Sequence, residues 1–544
     1  MMDRPLLLKT LLWRAERVFG DQEVVSRLEG GGRHRYTYAE YGTRVRRLAA
    51  ALADLGVGRG DRVGTLAWNT YRHFESYFAV PCMGAVLHTI NLRLFPDQIA
   101  HIINHADDRI LLLDPDLVPL VEDLREKIPG VRAFVVLSHE VPATCLAPIY
   151  AYEGLLAAAT PDYAFPDLDE NSACGMCYTS ATTGDPKGVV YSHRSTFLHT
   201  LVLGLHGNFG VREDMTLMPI SPMFHVNSWG TPFAAAMQGT KLVFPGPRPD
   251  ARAYVELIER ERVTHAVGAV TVGIQIRDYL QSSPERHDVS SLQVLWLGGQ
   301  APPRGLMEWF ESNYGVYVVQ GWGSTECSPL VTFTSLKRKF LESPDQDRRY
   351  EVRSKQGVPL PGAEIRVVDD QGNDLPWDGQ SAGELLVRAP WVASAYYHDP
   401  ERSRESFTGG WFRIGDVGTI DPDGYVRLVD RTKDLVKSGG EWISSVDLEN
   451  ALMAHPGIAE ATVIAIPHEK WLERPLACVV PADPHHPPGK DDLRAFLAER
   501  FAKWWLPDDF VFLEEIPKTG VGKFDKKQLR RQFGGPGTDG AARR

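Results

Sequence analysis

The chain has 544 residues, 43% of them hydrophobic and 24% charged, with a formal net charge of −11. That length exceeds one simple core, so two or more domains are expected. The negative charge argues against a general nucleic-acid surface, and no stretch approaches the roughly 18 uninterrupted apolar residues of a membrane helix.

At the amino terminus, Leu6-Leu7-Leu8 before Lys9 is too short for a secretory core, so the cytoplasm is the expected compartment. The first helical pattern puts Leu8, Leu11, Leu12, Ala15 and Val18 on one face. Such a stripe packs on the protein's own core more often than on a membrane surface, which leaves peripheral membrane contact as the lesser reading. Thr37 to Leu55 repeats leucines and alanines at helical spacing and stops at Gly56. Arg62–Trp68, Arg109–Leu113, Ala133–Leu137 and Val294–Leu297 read as strands. This alternation predicts an α/β fold, with a large amino-terminal domain of mainly parallel sheets. Ser172–Tyr178 also reads as a strand, so Cys174 and Cys177 should point to opposite faces as core residues. The six cysteines do not suggest a disulfide framework, and no second C-x-x-C completes a zinc site. From Gly357 onward, short strands and turns predict a β-rich subdomain, and beyond about Asp430 a smaller α+β unit follows. The Gly/Ala/Arg tail 534–544 has the composition of a disordered segment.

The run Tyr178-Thr179-Ser180-Ala181-Thr182-Thr183-Gly184-Asp185-Pro186-Lys187-Gly188 concentrates hydroxyls, glycine and one lysine in a loop. Successive backbone N–H groups in such a loop can converge on a polyphosphate, and Lys187 adds a mobile positive charge. Spacing excludes the G-x-x-x-x-G-K-[ST] and G-x-G-x-x-G phosphate loops.

This run resembles the signature of the adenylate-forming superfamily of acyl-CoA synthetases, luciferases and peptide-synthetase adenylation domains. The likeness continues in order: 222–230 resembles the family's aromatic segment, and 320–329 its adenine and magnesium motif. Gly410–Asp416 resembles the ribose motif, Asp430–Asp434 the hinge, and 439–444 and 517–523 complete the set. The resemblance implies an ATP- and acyl-binding domain over 1–430, a hinge over 431–437, and a mobile carboxyl-terminal domain over 438–544.

The family reaction joins a carboxylate to AMP and then passes the acyl group to a thiol, so ATP, Mg²⁺ and coenzyme A are implied. An anionic carboxylate must attack the α-phosphate of an anionic nucleotide, which requires positive charge and fixed donors around the phosphoryl group. By resemblance Lys523 bridges carboxylate and α-phosphate, with Thr325 and Glu326 as the other catalytic residues. Glu326 and the Thr179 hydroxyl are implied Mg²⁺ ligands, a sparse set that suits a cation bound with phosphates. The nucleotide would be held by Thr179, Ser180, Thr182, Thr183, Gly184, Lys187, Gln300, Gln320, Gly321, Trp322 and Thr325. Asp416 resembles the ribose-binding carboxylate, and Arg431, Lys433, Lys437 and Trp442 further nucleotide contacts. Lys433 is the implied hinge, about which the small domain would exchange the Lys523 loop for the Gly439-Gly440-Glu441 loop on the coenzyme A side.

Amino-acid-activating relatives place an acidic residue near 225–230, and this chain has none there. His225, Val226, Trp229 and Gly230 instead resemble the acyl-tunnel segment of bacterial medium- to long-chain fatty acyl-CoA synthetases, with Trp229 as its gate. Val267, Gly268, Val270, Val272 and Gly273 are plausible tunnel walls. Each buried CH₂ contributes about 0.8 kcal/mol, so tunnel length can set chain preference. Two residues depart from the family: Ala181 replaces a common glycine, at a cost of about 1 kcal/mol if φ must be positive, and Val270 replaces a common proline. The expected function is fatty acid–CoA ligation. The alternatives are an aryl or short-chain acid–CoA ligase, or a non-catalytic acyl or nucleotide sensor of the same fold. The similar bacterial enzymes imply a homodimer, for which no sequence feature speaks.

Overall fold

A computed structural model of the protein describes residues 1–179, 185–207, 209–431, 434–438, 441–518 and 524–534, with the side chains of Glu441 and Trp442 outside that description. The expected helices and strands form where their local chemistry favours them. Thr37 caps helix Tyr38–Asp54 in a reciprocal box with Glu40: the Glu40 N–H donates to the Thr37 hydroxyl, and the Glu40 carboxylate accepts from the Thr37 N–H. Gly56, at φ +86°, ends it. The first helix, Leu8–Val18, buries Leu8, Leu11, Leu12 and Ala15 as expected, while Val18 at its end is exposed.

Two sheets build the large domain. The seven-stranded sheet runs Ile149–Ala151, Ala133–Val136, Asp108–Leu113, Arg62–Leu66, Val86–Thr89, Ala173–Tyr178, Gly188–Ser192. All its neighbours are parallel except the last pair. In the nine-stranded sheet the six inner strands, from Tyr317–Gly323 through Val294–Gly298, His265–Ala269, Thr216–Pro219 and Lys241–Phe244 to Glu23–Arg27, are parallel. Antiparallel strands close both of its edges.

One apolar core joins the facing sides of the two sheets, taking Val63, Leu87 and Val135 from one and Leu217, Val267, Trp296 and Val319 from the other. Separate cores lie under the helices on the outer faces. The phosphate-loop, aromatic and adenine segments all follow the carboxyl ends of strands, where open α/β sheets place their ligands.

The C-x-x-C pair departs from expectation. Cys174 and Cys177 pack into the same core, because the register of the 173–178 strand shifts between Ala173 and Gly175 and breaks the alternation. They bond to different partners, Thr196 and Thr89 respectively.

Beyond residue 357, strands Glu364–Val368, Gly383–Arg388, Phe407–Thr408, Trp411–Ile420 and Val426–Arg431 form an antiparallel sheet. A last sheet, built on the long hairpin Ile458–His468 and Leu472–Pro481, carries helices Ser445–Met453, Lys490–Ala498 and Lys526–Phe533. Among the described residues no helix is long and apolar enough to cross a membrane.

The seam between the last two sheets is polar. Ser444 Oγ donates to the Val429 carbonyl at 2.5 Å, and the Ser445 N–H donates to Asp430 Oδ2 at 2.8 Å. Lys526 Nζ reaches Glu449 at 2.6 Å beside them. Asp430 is 3% exposed, and burial pushes its carboxyl up to about 6 against the pull of Lys526. A carboxyl raised in the folded state supports stability below its unfolded pKa and loses that contribution as pH rises through the folded one. We therefore expect the native chain, relative to Asp430→Asn, to lose roughly 2–3 kcal/mol between pH 4 and pH 6.5, read as the gap between paired denaturation curves.

Candidate active site

The aromatic segment is clamped by the neighbouring sheet. Asn69, just beyond strand Arg62–Leu66, donates to the carbonyls of Pro219 (2.8 Å) and Ser221 (2.9 Å) and accepts from the Met223 N–H (2.7 Å). The Tyr77 hydroxyl donates to the Met223 carbonyl at 2.5 Å. Downstream of this anchor, Val226, Asn227, Ser228 and Trp229 all have positive φ, at 46°, 54°, 47° and 58°, and Gly230 follows at 75°. Each non-glycine residue in that region costs on the order of 1 kcal/mol, so the turn is strained. Side chains pay part of it back: Ser228 Oγ donates to Ser221 O, and Thr231 Oγ1 to Ser228 O, each at 2.7 Å.

The turn delivers Trp229 onto the end of strand Val294–Gly298. A Cβ on Gly298 would lie 2.6 Å from the indole, so glycine is required for this seat. His225 opens the turn, half-buried, and Gly230 ends it against His199. Of the expected tunnel walls, Val267 shares the Trp229 core. Val270 and Val272 do not: they open helix Val270–Ser282, which packs on the far face of the sheet. One pleat below Gly298, Trp296 meets Phe209, with ring centres 4.4 Å apart. These two rings wall a cleft of about 720 Å³ that also takes in Val294 and Tyr317.

On the phosphate side, Ala173–Tyr178 and Gly188–Ser192 form a hairpin whose loop base is closed twice. The Thr179 N–H donates to the Lys187 carbonyl at 3.0 Å, and the Lys187 N–H donates to Thr179 Oγ1 at 3.1 Å. Ser180, Ala181, Thr182, Thr183 and Gly184 lie outside the described residues. Lys187 Nζ donates to the Tyr396 hydroxyl at 2.8 Å and stands 4.1 Å from that ring's centre; burial lowers its pKa. The same hydroxyl donates to Glu326 Oε1 at 2.6 Å, and Ser324 Oγ donates to Oε2 at 2.7 Å. Glu326 and Thr325 sit buried on the short turn Thr325–Cys327, whose first carbonyl accepts from the Tyr191 hydroxyl. Glu326 and the Thr179 hydroxyl present hard oxygens, a donor set that fits Mg²⁺ held together with phosphates. Tyr396, which no motif segment contains, lies in the loop between strand Gly383–Arg388 and helix Pro400–Ser406.

On the nucleoside side, Trp322 Nε1 donates to Asp416 Oδ2 at 2.8 Å. Asp416 faces Arg431 across the antiparallel ladder, with Arg431 Nε 3.6 Å from Oδ1. The Gln320 side-chain amide donates to the carbonyls of Arg353, Ser354 and Lys355 at the end of helix Gln346–Arg353. Gly321 has no room for a Cβ beside Leu330, and Gln300 lies half-buried in the loop after Gly298. Lys437 pairs across a short ladder with Trp442, its N–H donating to Glu473. Lys433, Gly439, Gly440 and Lys523 lie outside the described residues, and of Glu441 only the backbone is placed, on strand Glu441–Ile443. The fold thus joins Lys187 and Glu326 through Tyr396, with Thr179 bonded to the Lys187 backbone, and brings Trp322 together with Asp416 and Arg431.

Comparison with known proteins agrees with this geometry. Residues 12–397 match the AMP-binding enzyme family, and 447–523 match the AMP-binding enzyme C-terminal domain. A long-chain-fatty-acid–CoA ligase of Thermus thermophilus is 49% identical, over 98% of this chain and 96% of its own length. A medium-chain-fatty-acid–CoA ligase of Ectopseudomonas oleovorans is 42% identical over 98% and 97%. Among solved structures, an anthranilate CoA ligase in complex with anthranoyl-AMP superposes with a TM-score of 0.86 at 26% identity, covering 97% of this chain and 98% of that one. The chain belongs to the AMP-binding enzyme family, within the adenylate-forming superfamily.

Proposed function

We propose that the protein condenses a medium- or long-chain fatty acid with ATP to an acyl-AMP and pyrophosphate, then transfers the acyl group to coenzyme A, releasing AMP. The observation that carries this reading is the Trp229 turn: a carboxylate-free segment whose indole sits on Gly298 and whose Asn227 accepts from Cys177, at the end of the strand that leads into the 179–184 loop. An apolar tail can lie along the sheet face at Trp229 while the carboxylate meets positive charge.

In this reading Asp416 accepts from the ribose hydroxyls and Trp322, steadied by its bond to Asp416, lies against adenine. Lys187 and the 179–184 loop take the outer phosphates, and Arg431 lies beside the ribose. Mg²⁺ bound by Glu326 and the Thr179 hydroxyl would offset phosphate charge. Lys523 would bring a point charge on a flexible stem between carboxylate and α-phosphate, relieving the repulsion that opposes attack. Rotation about Lys433 would then withdraw it and bring Gly439, Gly440 and Glu441 to the thiol side. The domain limits 1–430, 431–437 and 438–544, a cytoplasmic location, a homodimer and peripheral contact with membranes belong to the same proposal.

Thioester formation from a ladder of saturated acids with ATP, Mg²⁺ and coenzyme A tests it. Activity should peak at medium or long chains; no thioester at any length would overturn the assignment, and a peak on aryl or short acids would move it to that class. Gly298→Ala should displace the indole and lower kcat/KM for the fatty acid roughly 10- to 100-fold, with KM for ATP unchanged.

A further inference from the structure

Tyr396 stands between two groups whose charges should collapse onto each other. Lys187 and Glu326 arrive on loops from different sheets, and both are withdrawn from bulk water. An ammonium and a carboxylate that meet directly in such a place form a tight pair, and neither is then ready for a ligand. Here the phenol is interposed: its oxygen accepts from Lys187 Nζ at 2.8 Å, and its proton goes to Glu326 Oε1 at 2.6 Å. Ser324 holds the second carboxylate oxygen at 2.7 Å.

The phenol is itself rigidly held. The Ala393 N–H donates to the Glu326 carbonyl and the Tyr397 N–H to the Gly188 carbonyl, each at 2.8 Å. The segment carrying Tyr396 is therefore pinned to the backbone of both motifs. The Tyr396 N–H donates to Ser403 Oγ at 2.9 Å, and its ring packs edge-on against Phe407. At 5% exposure it has little freedom to swing away. Burial and Glu326 both raise its pKa, so it keeps its proton.

We propose that Tyr396 is a positioning residue that spaces Lys187 from Glu326, so that a phosphate anion and a divalent cation can enter together where the direct ion pair would otherwise form. On arrival Lys187 turns to phosphate oxygen and Glu326 to the cation, while the phenol goes on donating to the carboxylate. The inference rests on the proposed nucleotide site but predicts something that site alone does not: loss of one hydroxyl should couple cation and nucleotide demand.

The test is Tyr396→Phe in the full chain, with ATP binding measured calorimetrically across a Mg²⁺ titration without any acid. The ring and its packing remain, so Tm should stay near that of the native chain. The Mg²⁺ concentration for half-saturation and Kd for ATP should both rise on the order of tenfold, as expected for a lost bond to a charged group, with KM for the fatty acid unmoved. In a double-mutant cycle, Tyr396→Phe should add little to Glu326→Gln in Mg²⁺ demand, because the hydroxyl acts on the cation only through that carboxylate. Native-like Mg²⁺ and ATP dependence in Tyr396→Phe, or a uniform loss for every substrate with a fallen Tm, would overturn the spacing role. Failure of the native chain to bind ATP with Mg²⁺ would overturn the site reading itself, and the spacing role with it.

Discussion

The organising constraint is the need to keep opposite charges close, buried and uncancelled until a ligand arrives. Lys187 and Glu326 satisfy it through the Tyr396 hydroxyl, while Asp416 meets Arg431 directly at 3.6 Å and accepts from Trp322. Burying such groups is costly unless every lone pair and proton is used, so the surrounding backbone must be rigid. The two sheets provide that rigidity. Their facing sides share one apolar core, and the loops at their strand ends inherit its precision.

A second cost is accepted at the aromatic segment. Four consecutive non-glycine residues with positive φ could not persist in a free loop. They persist because Asn69 and Tyr77 hold the approach, Ser228 and Thr231 close the turn, and Gly298 leaves space for the Trp229 ring. The strained turn and the Trp229 seat thus meet at the end of strand Val294–Gly298.

Much of this was legible in the chain. The alternation of apolar runs gave the α/β class, and the Thr37–Glu40 box with Gly56 marked both ends of one helix. Short-range chemistry of that kind survives folding unchanged. What was not legible has a common cause in tertiary placement. Gln320 lies within a motif, yet its amide is consumed by a helix end more than thirty residues away in sequence. Cys174 and Cys177 share a face because of a bulge that no spacing rule announces. Val270 and Val272 belong to a helix turned to the opposite core, and Tyr396 acquires its position only through contacts to Gly188 and Glu326. A local pattern reports on its own element; it does not report which element packs against it.

The proposed reaction turns on attack of the acid's oxygen on the α-phosphate. The most direct test is to supply a fatty acid labelled with oxygen-18 in its carboxyl group and follow the label through one turnover. The account predicts one labelled oxygen in AMP and none in pyrophosphate. Label in inorganic phosphate alongside ADP would mean attack at the terminal phosphate, and would contradict it.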